Sequence, residues 1–242
     1  MSFSIAEFQA AVDKINQGMD DISTKMQEIA PAANAAIDHW YIPDFIAEGI
    51  IWLAEKTIEL AQKIWDKIVE VIKGIAAPVY FFQYSQQLND VASSADSIEA
   101  NLADQLLIQA DEWSGQAADA YKAEVPPQRN AAGELGTIAE AMKSSLIWAA
   151  VAGLAFYVGL GVIIVKFIAA MVAAIAAFGS AVFSWAGAAL IVEEAGVNIA
   201  AIAALVTTLL ALLGDQVKEM GSLQNAASSD KFPYGKWPVA AG

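Results

Sequence analysis

The sequence predicts an all-α fold, an elongated helical bundle that carries one tight helical hairpin and one hydrophobic helical hairpin. Apolar residues recur in steps of three and four through the first half of the chain, which is the period of an amphipathic helix. Three long uncharged runs follow in residues 146–214. Between these two regions a Trp-x-Gly turn separates two helical patterns.

The first helix is marked by Phe8, Val12, Ile15, Met19, Ile22, Met26 and Ile29, an a/d seam with acids, Lys and Gln between its members. Pro31 is expected to stop it, and Asn34, Asp38 and Pro43 mark a connection. The cluster His39-Trp40-Tyr41 sits in that connection and reads as a buried turn, with a ligand pocket or interfacial anchor as alternatives. A second seam runs through Ile51, Ala54, Ile58, Ala61, Trp65, Ile68, Ile72 and Ile75, and Gly74 and Pro78 end it. Ile50, Leu53, Leu60, Ile64 and Val71 widen its stripe, so this helix is expected to face two neighbours. The third seam takes Leu88, Val91, Ala95, Ile98, Leu102, Leu106 and Trp113. Helices are thus expected near 4–30, 44–75, 82–112, 116–125 and 130–165, followed by an apolar hairpin.

Composition excludes several functions. With 13 Lys+Arg against 27 Asp+Glu, a formal charge of −14 and Arg129 as the one arginine, the chain lacks the basic stripe that neutralises a phosphate backbone; no nucleic-acid partner is expected. The absence of Cys removes disulfides, thiolate nucleophiles and thiolate metal sites. One histidine, His39, has no Ser, Cys or paired carboxylate at hydrolase spacing. No catalytic residue, metal site or cofactor is expected, and the protein reads as a non-enzyme. Met1–Ala10 lacks the basic and apolar regions of a cleaved signal peptide, since Phe3, Ile5 and Phe8 alternate with polar residues.

The third helix ends at Asp111-Glu112-Trp113-Ser114-Gly115, and Gln116-Ala117-Ala118-Asp119-Ala120-Tyr121 opens the next. Gly115 permits backbone angles that a tight turn needs, and Ala117 and Ala118 are small enough for two helices to approach beside it. Trp113, Gly115, Ala117, Ala118 and Tyr121 together resemble the helical hairpin of the WXG family of type VII secretion substrates. The resemblance covers about residues 80–145. It implies a hairpin whose Trp and Gly make the turn, export of the folded protein without a cleaved signal peptide, pairing with itself or with a WXG-like partner, and contact with the type VII secretion machinery.

Three features depart from that pattern. Pro126-Pro127 is expected to break the second arm. The family's export signal, Tyr followed four residues later by Asp or Glu, is absent: Val125 follows Tyr121, Gly161 follows Tyr157 and Pro238 follows Tyr234. A partner chain would then carry the signal. An apolar region and a tail also extend beyond the hairpin, and the activity is expected there.

Residues 1–145 hold 22 acids and 9 bases, whereas 146–214 hold only Lys166, Glu193 and Glu194. Leu146–Val165 is 20 uncharged residues, Phe167–Val192 is 26 and Ala195–Gly214 is 20. At about 1.5 Å per residue, 20 residues span a bilayer's hydrocarbon core. Ala, Gly and Ser dominate 168–189, which favours close helix packing. Lys166 is expected to snorkel at the end of the first apolar helix. Glu193-Glu194 reads either as the tip of an inserting hairpin with arms 167–192 and 195–214, crossing more easily in acid, or as a solvated loop between core helices. Lys166, Glu193, Glu194, Trp148 and Trp185 are the candidate membrane-insertion residues. The tail 215–242 ends in Phe232-Pro233-Tyr234-Gly235-Lys236-Trp237-Pro238, and Tyr234 and Trp237 suit an interface.

Four segments follow: amphipathic helices in 1–79, the WXG-like hairpin in 80–145, the apolar region in 146–214 and the tail in 215–242. The expected function is that of a secreted or membrane-associated protein whose apolar helices insert into membrane lipid, as an oligomeric pore or assembly. Before insertion, the seams at 8–29 and 51–75 would sheathe those helices. The alternatives are a soluble carrier that delivers a partner through the secretion system, and a resident integral membrane protein.

Overall fold

A computed structural model shows, among the described residues, five α-helices and a short 3₁₀ turn: α1 (Ile5–Ile37), α2 (Asp44–Ile72), α3 (Ala77–Glu112), α4 (Gln116–Phe178), α5 (Trp185–Ala226) and the turn Pro233–Gly235. It describes residues 2–38, 42–178, 185–228 and 230–239, and within them not the side chains of 105–112, 185–191, 194–195 and 234. No strand occurs among the described residues, so the fold is all-α. Two compact units form, one from 1–76 with 152–210 and the other from 77–151 with 211–242.

In the first unit, Ser4 caps α1 by accepting a hydrogen bond from the Glu7 amide. The α1 core face holds Phe8, Ala11, Ile15, Gly18, Met19, Ile22, Ile29 and Ala33, close to the seam read from the sequence. Pro31 does not end the helix, which continues to Ile37. A proline removes one hydrogen bond to the carbonyl four residues back; here Ile29 and Ala33 stay buried on either side and hold the turn in place. On α2 the buried residues are Gly49, Ile50, Leu53, Ala54, Thr57, Ala61, Ile64 and Ile68. The expected seam is therefore displaced toward its flank, and Ile51 faces outward. The Thr57 hydroxyl donates to the Leu53 carbonyl, which satisfies it inside the core.

Helices α1 and α2 pack on each other. Both also reach the apolar part of α4. Phe8 meets Tyr157 edge-on with ring centroids 5.6 Å apart, the Lys14 stem lies over Gly161, and Gly18 abuts Ile164. These contacts advance together along both helices, so α1 and this part of α4 run parallel. From α2, the Val71 carbonyl accepts from the Tyr157 hydroxyl at 3.5 Å. On α5, Leu205 packs against Gly159 and Ile202 is fully buried. Asn198 is also buried, and its Nδ2 has no hydrogen-bond partner among the described residues.

In the second unit, α3 buries Ser85, Ala92 and Ala95. Val91 and Ile98, expected in its seam, are exposed instead. The small face of α3 lies close to α4: carboxylate oxygens of Glu99 and Asp96 approach Gly133 and Gly136, where a Cβ would stand 2.8 Å and 2.6 Å away. Lys143 donates to Asn89 of α3 at 2.9 Å. The buried Ser145 hydroxyl donates to Glu219 of α5 at 3.0 Å, and Lys231 of the tail pairs with Glu134 of α4.

Helix α4 is continuous over 63 residues. The break expected at Pro126-Pro127 does not occur, nor does Lys166 end a helix. Pro126 and Pro127 have no amide hydrogen to donate to the carbonyls four residues back. Val125, Ala131 and Ala132 are buried around that point, and their packing carries the helix across it. Helix α5 likewise runs through Gly214 to Ala226.

Candidate functional site

The turn between α3 and α4 lies at Trp113-Ser114-Gly115. Gly115 has φ +102°, a left-handed conformation that strains any residue with a Cβ. Its carbonyl accepts from the Asp119 amide at 3.0 Å and so begins α4. Trp113 packs on Tyr121, with ring centroids 5.5 Å apart. Ala118 is fully buried, whereas Ala117 is exposed, so only the former acts as the small contact residue expected of both.

The apolar site lies on α4 and α5. The most apolar 18-residue stretch of Gln116–Phe178 has mean hydropathy 2.5 and is 39% buried; that of Gly196–Ala226 has mean hydropathy 2.2 and is 11% buried. Both helices are long and apolar enough to cross a membrane. On α4, Leu154, Phe156, Tyr157, Leu160, Ile164, Phe167 and Met171 turn inward, whereas Val158, Val162, Val165 and Val172 turn out. Lys166 is exposed, mid-helix. Trp148 is 66% exposed.

Glu193 lies within α5, exposed, and Glu194 follows it in the same helix. The expected tip or loop at Glu193-Glu194 is thus absent. Two adjacent glutamates do not stop a helix, because Glu is a good helix former and the residues before them are Ala, Leu, Ile and Val. Helix α4 ends at Phe178 and α5 begins at Trp185. The side chains of Glu194 and Trp185 lie outside the described residues, as do Tyr234's side chain and the cluster His39-Trp40-Tyr41. Trp237 is partly exposed after the 3₁₀ turn.

Sequence reasoning missed an open groove of about 570 Å³ between α1 and α4, lined chiefly by Ala10, Ala11, Ala155, Val158 and Val162, with Glu7 and Lys14 at its α1 side. On α2, Glu59 accepts from both Lys56 and Lys63. These hydrogen bonds, reinforced by the two charges, hold its carboxyl down at about 2, below its ordinary 4.5.

No protein-family model, curated protein or solved structure matches the chain. The fold and site define a class: an all-α protein with two helices able by length and composition to cross a membrane.

Proposed function

We propose that this is a secreted, non-enzymatic protein whose apolar helices α4 and α5 insert into a lipid bilayer, as an assembly of several chains. The reading is carried by α5. A core helix of a water-soluble protein buries its apolar stretch, because exposing it forfeits about 25 cal/mol for every Å². The corresponding stretch of α5 is 11% buried, which suits lipid contact. Helix α1 packs along residues 157–168 and α2 reaches Tyr157, which supports a sheath of amphipathic helices in a water-soluble form. Export by the type VII route belongs to the same proposal, supported by the Gly115 turn and the Trp113–Tyr121 packing.

The test is flotation of the full chain, free of detergent, with liposomes of neutral and of anionic lipid. Insertion predicts that the protein rises with the vesicles, resists extraction by carbonate and releases an entrapped dye. Protein that stays at the bottom of the gradient would overturn the proposal in favour of the carrier reading. Export is tested separately, by following the tagged chain in a host with and without a type VII system.

A further inference from the structure

We propose that the α1–α4 groove of the first unit is a self-complementary surface that docks a second copy of this chain about a two-fold axis. This does not rest on membrane insertion. On α1, Glu7 and Lys14 stand seven residues apart on one exposed face, with their midpoint between Ala10 and Ala11. Neither has an ion-pair partner among the described residues. On α4, exposed Ala155 and Val162 are also seven residues apart, with their midpoint beside Val158. Two turns of helix keep each pair on one face.

The two midpoints lie at the same height. Phe8 is level with Tyr157 and Lys14 with Gly161, and α1 runs parallel to α4, so the Ala10–Ala11 position falls level with Val158. A single axis crossing both helices there lays each helix antiparallel on its own copy. Glu7 then faces Lys14 of the second copy and Lys14 faces its Glu7. Ala155 faces Val162 reciprocally, small against large, and Val158 meets its own copy at the axis. An isologous contact requires this reciprocity. The small exposed residues Ala10 and Ala155 allow the backbones to come close. A lipid chain in the same groove would cover the valines but leave both charges unmatched, so the charge pattern favours a second copy.

Sedimentation of the full chain in detergent-free buffer is expected to give twice the chain mass. Glu7→Lys or Lys14→Glu places like charges opposite each other twice and is expected to weaken the dimer about tenfold, with circular dichroism unchanged. Together the two substitutions exchange the charges and are expected to restore it. Because the chain has no Cys, single cysteines report the register. Ala10→Cys lies about 1.5 Å along the helix from its counterpart and is expected to form an intermolecular disulfide, whereas Gln17→Cys lies about 20 Å from its own and is not. A monomer, a dimer insensitive to the charge exchange, or a dimer that fails to cross-link at residue 10 would each overturn the proposal.

Discussion

Replacing Gly18 and Ile164 by alanine, singly and together, tests how α1 is seated on the apolar part of α4. A Cβ at position 18 runs into Cγ2 of Ile164, a fully buried side chain. Overpacking of this kind costs about 1–3 kcal/mol, offset by about 1 kcal/mol because alanine is the better helix former. Gly18→Ala alone is therefore expected to destabilise by about 0–2 kcal/mol. Ile164→Ala removes the colliding methyl and leaves a cavity, at about 2–5 kcal/mol. In the double variant the new methyl enters the space that isoleucine vacates. The combined cost should then fall short of the sum by about 1 kcal/mol or more, the coupling expected of residues in contact. Urea unfolding followed by far-ultraviolet circular dichroism measures all four proteins. Additivity within about 0.5 kcal/mol would refute the seating of Gly18 on Ile164.

Other substitutions probe the remaining features. Gly115→Ala forces a Cβ into a left-handed turn and should cost about 1–3 kcal/mol; at about 2–4 °C per kcal/mol for a chain of this size, an unchanged melting temperature would contradict that geometry. Leu210, 64% exposed, should tolerate lysine with less than about 0.5 kcal/mol lost from the fold, yet the variant should bind liposomes more poorly. Equal flotation of Leu210→Lys and the parent would exclude insertion of that part of α5. Glu59 has its carboxyl depressed to about 2, so its ion pairs contribute fully above the ordinary 4.5 and are lost only as pH falls through about 2. A carboxyl titration by nuclear magnetic resonance with a midpoint near the ordinary value would show that the Lys56–Glu59–Lys63 pairs do not persist.

The sequence made some of this legible and hid the rest for physical reasons. The α1 seam is nearly the buried face because its apolar residues stand apart and define one stripe. On α2 they come in neighbouring pairs, Ile50-Ile51, Leu53-Ala54 and Ile64-Trp65, so two stripes about 100° apart fit the pattern equally well, and only the packing chooses between them. Pro31 and Pro126-Pro127 look like stops because local sequence registers the lost hydrogen bonds but not the buried neighbours that keep the helices intact. The turn at Gly115 was readable since its geometry depends on glycine itself. The groove was not, because Ala10, Ala11 and Ala155 carry no local signal; their meaning comes from α1 lying parallel to α4.

The amide of Asn198 bears on how permanent the packing of α5 is. A buried donor with no acceptor among the described residues costs the packed form about 1–3 kcal/mol relative to one in which the same group is served. A leucine at that position would fill the space with no such penalty. That cost falls on a helix whose apolar stretch is only 11% buried. An acceptor brought within reach of that amide would recover the cost, a gain that a leucine at position 198 would not offer.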